Sequence, residues 1–477
     1  MSFKVAFIGA GSLGFTQQYV RDLLAVSEFS AIEIALMDIS EKNLDMVYQL
    51  VERDIAYNKF DQVHLSKTTD QREAVKDASY VINAARVGGL DAFQLDIDIP
   101  LKYGIDQCVG DTLCPGGIMY GQRGIPMILD LCRDIREAAE PGCILINHGN
   151  PNAMLTWAAN HYGDVYTIGL CHGVQHGHQL IAEVLGVSSE ELDIVCAGIN
   201  HQTWYIQVRY QGRDMTGKLL EAFEKHEHSL KTEKVRIDML KRFGYFSTES
   251  NGHLSEYVPW YRKRRNEISE WISTDKWIHG ETGGYLRHCR EYRDDFEAEF
   301  SKKIEEDPQV YTPENRSLEH GSYIIESLET RRLYRGHFNV VNEGCITNLP
   351  NDAVVEVPAY VDGNGVNIPQ VGDLPLGCAA VCDVSINVQR LAVTAAVHGD
   401  DQLLRQAMML DPLTGAVCNP PEIWQLVDEM LIAQAQWLPQ YQETIKKTEV
   451  LNLSSGTYTH LTVTKKNRVG RLKLSES

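Results

Sequence analysis

Residues 3–15 read Phe-Lys-Val-Ala-Phe-Ile-Gly-Ala-Gly-Ser-Leu-Gly-Phe. An apolar run of strand length enters a glycine turn and is followed by a helix-forming segment, which is how a dinucleotide cradle opens. Gly9 permits the tight turn, Gly11 lets the backbone approach a pyrophosphate, and the N–H groups that begin the next helix offer a site for negative charge. Glycines after a strand are also ordinary turn chemistry, so the second strand-like run has to decide. That run, 32–37, is apolar and ends in Asp38. A carboxylate there accepts hydrogen bonds from the adenosine ribose hydroxyls and disfavours the 2′-phosphate of NADP. The pattern predicts NAD(H) binding, with Gly9, Gly11, Ser12, Leu13, Asp38 and Asn83, at the end of the fourth strand-like run, as cofactor contacts.

Working outward, strand-like and helix-like stretches alternate to about residue 200, the signature of parallel βαβ units. Candidate strands are 3–8, 32–37, 62–66, 79–84, 143–147, 166–170 and 193–198, with helices over 41–57, 125–137 and 175–185 between them. Beyond residue 200 the alternation stops; 340–361 has strand character and ends in the turn Asp362-Gly363-Asn364-Gly365. The expected fold is α/β: a Rossmann-type parallel sheet over 1–197 and a mixed α+β lobe over 198–440 that caps the cofactor crevice and carries the substrate, metal and subunit contacts. The segment 441–477 has seven Lys or Arg against three acidic residues and reads as a solvated tail.

Composition narrows the partners. A formal charge of −20 over 477 residues argues against nucleic acid or an anionic membrane. No run approaches the roughly 20 apolar residues of a membrane span, and Met1 leads almost directly into the first strand, so the expectation is a cytoplasmic protein without a secretory signal. Eleven cysteines without close C-x-x-C pairs suit a reducing compartment.

Chemistry concentrates where strands end, as it should in an open parallel sheet. The run 143–147 leads into Asn147-His148-Gly149-Asn150-Pro151, the run 166–170 into Cys171-His172-Gly173-Val174-Gln175-His176-Gly177-His178, and 193–198 into Ile199-Asn200-His201. A thiolate from Cys171 and an imidazole from His201 could hold a divalent metal, leaving other positions to substrate oxygens and water. Their spacing is no recognised zinc pattern, and a buried apolar Cys171 with a core His201 is the plainer reading of the residues alone.

The chain resembles glycoside hydrolase family 4, the NAD- and metal-dependent glycosidases, over essentially its whole length to about residue 440. The blocks that carry the resemblance are Gly9-Ala10-Gly11-Ser12, Asp111 to Ile118, Asn150-Pro151 with Thr156, Gly169 to Val174, Gly198 to His201, and Asn348-Leu349-Pro350 with Val355 to Pro358. The resemblance implies a lactate/malate dehydrogenase-like fold and Cys171 and His201 as ligands of Mn²⁺ or a similar ion. It implies Asn150 on sugar hydroxyls near that metal, and Asp111 close by in an acid or supporting role. The implied reaction oxidises sugar C3 with NAD⁺, removes the C2 proton, eliminates the C1 oxygen, adds water and returns the hydride, outside the paired-carboxylate scheme of most glycosidases. For the C2 base, approximate alignment suggests Glu249, with Tyr245 and Tyr257 behind it; read as a residue alone, Glu249 is a solvated loop carboxylate. His172 would assist proton transfer to the leaving group.

Val87 to Phe93 offers no basic side chain to pair with a sugar phosphate, and Cys171 is followed by His172, which points to an unphosphorylated sugar. The stretch Arg242 to Ser250, then His253, Ser255-Glu256-Tyr257 and Pro259-Trp260, is most similar to the α-galactosidase (melibiase) branch, with His253 and Tyr257 as substrate contacts and Trp260 as packing or a sugar platform. Gly173 departs from the Ser usual in that branch, and Cys-His-Gly also occurs in α-glucosidase and α-glucuronidase branches, which remain alternatives. A 2-hydroxyacid dehydrogenase is the alternative from another class. The expected partners are a small-molecule α-glycoside and further copies of the chain in a homodimer or homotetramer.

Overall fold

The computed structural model describes residues 2–12 and 14–455, with side-chain surroundings to residue 448. Leu13, expected at the cofactor, and the stretch 456–477 lie outside the described residues. Thirteen strands form one sheet: β1 (Lys4–Ile8), β2 (Glu33–Met37), β3 (His64–Thr68), β4 (Tyr80–Asn83), β5 (Ile144–Asn147), β6 (Thr167–Gly169), β7 (Leu192–Ile199), β8 (Gln202–Tyr210), β9 (Arg213–Asp214), β10 (Phe246–Ser247), β11 (Tyr334–Val341), β12 (Val354–Asp362) and β13 (Gly365–Asn367). Six of them run in the parallel order β3-β2-β1-β4-β5-β6, the doubly wound arrangement read from the first 200 residues. The central runs are apolar without alternation because helices cover both faces: every residue of β4 and Val5–Ile8 of β1 are buried, whereas the edge strand β3 reads His-Leu-Ser-Lys-Thr and is partly exposed.

The predicted helix over 41–57 is present as Glu41–Tyr57, capped by Ser40, whose side chain accepts from the backbone N–H of Asn43. The helix expected over 125–137 is the second half of a longer one, Cys114–Ala138, and that expected at 175 begins at Gly173.

Three expectations are corrected. The seventh strand is not a parallel βαβ member: β7 pairs antiparallel with β8 and with β12. Only Asn200 and His201 link β7 to β8, a connection that can close a hairpin and is far too short for a crossover. A boundary at 197/198 therefore cuts through β7, and the second half of the chain extends the same sheet, with β11 and β12 inserted between β6 and β7. The strand-like stretch 340–361 accordingly divides between β11 and β12, while 362–365 does turn back into β13.

The second correction concerns the tail. Residues Gln442–Ser455 are helical; Tyr441 and Ile445 are buried, and the Tyr441 hydroxyl donates to Gln122 Oε1 at 2.7 Å. Apolar anchors at 441 and 445 hold the start of this helix on the protein. Third, Leu376–His398 is a 23-residue helix apolar enough to cross a membrane by length and composition; half of its most apolar window is buried in the protein, where it packs on the helix Cys114–Ala138. The eleven cysteines are all free, nine of them buried.

Candidate active site

The glycine turn after β1 has the shape its sequence demands. Gly9 adopts φ +82°, donates to Met37 O at 3.0 Å, and leaves so little room that a Cβ would lie 2.6 Å from the Ala85 backbone nitrogen. Only glycine satisfies both the left-handed φ and that approach. Asp38, at the end of β2, accepts from the Gly11 N–H and from the Ser40 N–H, each at 2.8 Å, which holds its carboxylate at the rim of the turn. A turn kept free of side chains, a following helix and an acid at the rim fit a dinucleotide. Asn83 is fully buried and spends its amide on the scaffold, donating to Asn147 Oδ1 at 2.8 Å and accepting from the Ala85 N–H. It ties the ends of β4 and β5 together. Ser12 lies in the turn, its N–H on Gly9 O at 3.2 Å.

Beyond this cradle, the loops that leave the sheet converge. Asp111 precedes the helix Cys114–Ala138; its Oδ2 accepts from Asn150 Nδ2 at 2.8 Å and its Oδ1 from the Thr112 hydroxyl at 2.9 Å. The same Thr112 oxygen lies 2.7 Å from His201 Nδ1. A hydroxyl has one proton, so if Thr112 gives it to Asp111 it must accept from His201, which puts the imidazole proton on Nδ1 and leaves the Nε2 lone pair to a ligand. His201 holds φ +63° in the two-residue turn between β7 and β8, a left-handed conformation that swings its ring under Asp111.

Cys171, two residues past β6, has its Sγ 3.7 Å from Glu249 Oε1. The donor atoms of Cys171, His201 and Glu249 lie within 4.8 Å of one another, and so do those of Asp111, His201 and His253. Glu249 is not the solvated loop carboxylate its sequence context suggests. Burial alone would raise its pKa; His253, His201, His176 and Arg236 outweigh burial and hold it at about 2. Burial pushes the Cys171 thiol well up, with Glu249 and Glu356 adding to it. A thiol flanked by carboxylates ionises when a cation joins it. Thiol and imidazole lone pair form a donor pair for a first-row divalent ion, with the Glu249 carboxylate beside it.

The remaining predicted residues divide. His253 is buried beside this cluster, its Nδ1 2.7 Å from Ser250 Oγ and 3.5 Å from Glu249 Oε2; burial lowers its pKa. Tyr257 donates to Asp111 Oδ1 at 3.4 Å and lies parallel to the His201 ring. His172 turns its Nε2 to Glu319 Oε2 at 2.7 Å; burial opposes its protonation, but the hydrogen bond and charge of Glu319 raise its pKa overall. Tyr245 is not brought in: it stands before β10, half-buried against the apolar core, and among the described residues no contact joins it to the cluster. Trp260 is 42% exposed and rests on Phe243, away from these groups.

Sequence reasoning missed four supporting groups. Thr112 orients His201. Glu256 gathers the backbone N–H groups of Cys108, Val109 and Gly110 at 2.6, 3.1 and 2.9 Å and so shapes the loop that ends in Asp111; burial raises its pKa to about 7. Glu319 reaches His172 from the second half of the chain. Glu356 lies buried on the rung Gly169–Asn339–Glu356–Gly198, beside the side chains of Asn200, Asn339 and Thr203. A Glu inside Val-Val-Glu-Val was the available signal, since a carboxyl in a buried strand calls for a reason.

Comparison with known proteins bears on this arrangement. Residues 4–187 match the family model described as family 4 glycosyl hydrolase, and residues 196–414 match its C-terminal domain. The chain is 56% identical to an α-galactosidase of Rhizobium meliloti (strain 1021) over 445 residues, covering 93% of this chain and 91% of that protein. It is 35% identical to an α-galactosidase of Bacillus subtilis (strain 168), covering 92% and 100%. Among solved structures, a 6-phospho-α-glucosidase from gut microorganisms, in complex with NAD and glucose 6-phosphate, superposes with a TM-score of 0.76 at 27% identity, covering 92% of this chain and 99% of that one.

Proposed function

Because this chain belongs to glycosyl hydrolase family 4, we propose that it hydrolyses α-galactosides of the melibiose type, with NAD⁺ and a divalent metal such as Mn²⁺ as cofactors. The α-galactosidase relative at 56% identity supports the sugar, and the NAD-bound 6-phospho-α-glucosidase structure supports the nucleotide. The observation that carries the chemistry is the meeting of Cys171, His201 and Glu249, which follow β6, β7 and β10 of the same sheet whose β1 opens the glycine turn. When bound, NAD⁺ supplies a reversible hydride acceptor for sugar C3, and the metal supplies a Lewis acid for the C2 and C3 oxygens.

The chain's residues do the rest. Gly9, Gly11, Ser12 and Asp38 receive the nucleotide. Cys171 and His201 hold the metal, the latter through Nε2. Asn150, fixed by Asp111, and His253 and Tyr257 beside it bind sugar hydroxyls. Glu249, kept ionised, removes the C2 proton, acidified by the adjacent ketone, and His172 delivers a proton toward the departing glycosidic oxygen. The same reading makes the protein a cytoplasmic homodimer or homotetramer with a small glycoside as its partner; its charge of −20 supports the absence of a nucleic-acid or anionic-membrane partner.

The test tracks the cofactor and one hydrogen. Hydrolysis of an α-galactoside in D₂O, with NAD⁺, Mn²⁺ and a reducing agent, should accumulate no net NADH and leave deuterium at C2 of the galactose. Chelation should abolish turnover and Mn²⁺ restore it. Glu249→Gln should lose the C2 exchange while keeping Mn²⁺ affinity; a loss of Mn²⁺ affinity instead would make Glu249 a ligand. Stoichiometric NADH from a 2-hydroxyacid, with no sugar released from any glycoside, would overturn the proposal.

A further inference from the structure

Glu319 touches His172, and no part of the reaction above uses it. It is 3% exposed and precedes the helix His320–Thr330, more than a hundred residues along the chain from His148 and His172. Its carboxylate bridges the ends of two parallel strands: Oε2 is 2.7 Å from Nε2 of His172, after β6, and Oε1 is 3.8 Å from Nε2 of His148, after β5. Oε1 also accepts from the Gly321 N–H at 3.3 Å, and the Glu319 N–H donates to Ser317 Oγ at 3.1 Å. Ser317 is itself anchored, its N–H donating to Asp22 Oδ1 at 2.9 Å. The carboxylate is thus held from behind by its own backbone turn and presents its free edge to two imidazoles. His148, His172 and His320 keep it ionised against burial, at about 2. His172 by contrast is 41% exposed in its side chain and stacks on His176.

The geometry points to Glu319 as the residue that positions His172 for proton delivery to the leaving oxygen. This rests on the proposed galactosidase reaction and assigns a part of it. With Nε2–H committed to Glu319, the proton that His172 can give is on Nδ1, and the buried carboxylate fixes the ring and stabilises the imidazolium before transfer, as carboxylate–imidazole pairs do elsewhere. In the elimination step the C2–H proton goes to Glu249 and its electron pair forms the C1–C2 double bond. The C1–O bond breaks with its pair on the departing oxygen, and that oxygen takes the Nδ1 proton. His172 ends neutral, with Nε2–H still on Glu319.

The test varies the need for that proton. A sugar alcohol leaving from melibiose requires protonation; 4-nitrophenolate leaving from 4-nitrophenyl α-galactoside does not. Glu319→Gln should lower kcat/KM on melibiose by about 100-fold, within the range for general acid catalysis, and on the nitrophenyl substrate by less than about 5-fold. The double variant with His172→Gln should be no slower on melibiose than His172→Gln alone, since the carboxylate acts through that ring. NAD⁺ affinity by fluorescence and Mn²⁺ affinity by electron paramagnetic resonance should match the unmodified protein. Equal losses on both substrates, additive losses in the double variant, or weakened NAD⁺ binding would overturn the inference and leave Glu319 a structural residue. If Glu319→Gln does not fold, Glu319→Asp, which keeps the charge one methylene short of His172, should give the same split between substrates. An unmodified protein that hydrolyses neither galactoside refutes the galactosidase reading itself, and this assignment with it.

Discussion

Replacing Gly173 by Ala tests the placement of Glu249 without touching its chemistry. Gly173 opens the helix after Cys171 and His172, with a backbone conformation open to any L-residue, so alanine brings no strain and better helix propensity. What it brings is a Cβ built 1.9 Å from Glu249 Oε1, 2.8 Å from Cδ and 3.3 Å from Cγ. Ordinary contact begins near 3.4 Å, so the carboxylate must retreat by about 1.5 Å. It is the far end of a flexible side chain, and it can. The retreat opens the 3.7 Å approach to Cys171 Sγ and the 3.5 Å approach to His253 Nδ1. A shift of about 1 Å in a reacting group can cost about 100-fold in rate, which sets the expected fall in kcat. The thermal midpoint and NAD⁺ affinity should stay as in the unmodified protein, because the glycine turn after β1 and the core are untouched. The assay is steady-state hydrolysis of an α-galactoside together with deuterium incorporation at C2, and both should fall together. Full kcat and full exchange in Gly173→Ala would refute the reasoning, since a base displaced by more than an ångström cannot serve as well as one in place.

Buried titratable groups give two further expected outcomes. Burial, with Glu249 adding, pushes Glu356 well above the usual carboxylate range and so favours its neutral form; Glu356→Gln, which imitates that form, should keep turnover within about 3-fold, and a fall of about 100-fold would mean that its charge is used. His337 accepts from the Cys196 N–H at 3.1 Å through Nε2, and burial, with His320, Arg335 and His178, lowers its pKa from 6.5 to about 3. Its folded-state pKa lies below its unfolded one, so the unfolded chain takes up the proton first. Stability is lost as pH falls from about 6.5 toward 3, by about 2 kcal/mol between pH 7 and pH 5. Urea unfolding at those two pH values should show that loss in the unmodified protein and a smaller one in His337→Gln; equal losses would remove His337 as the cause.

The sequence was legible where the determinants are local. A parallel strand buried on both faces must be apolar, a turn that meets Ala85 at 2.6 Å must be glycine, and polar residues just past a parallel strand end must face the crevice; these three constraints reach β1, β2, β4, β5, Gly9 and the loop of Cys171 from short windows, whereas the roles of Asn150, Cys171 and His201 came from the family resemblance. What stayed hidden depends on partners far along the chain. A strand followed by polar residues looks the same whether a helix or a two-residue hairpin comes next, and so β7 read as another βα unit although β8 comes at once and β12 pairs with its other edge. Tyr441 looked like the start of a tail because its anchor, Gln122, is more than three hundred residues away. The same distance separates legible from illegible in the site. Its candidates Cys171, His172 and His201 come from strand ends, whereas the groups that orient the two imidazoles come from far along the chain: Thr112 for His201 and Glu319 for His172. Orientation by hydrogen bond needs no periodicity and leaves none in the sequence. A reading from residues can therefore name the atoms that react before it can say which of them carries the proton.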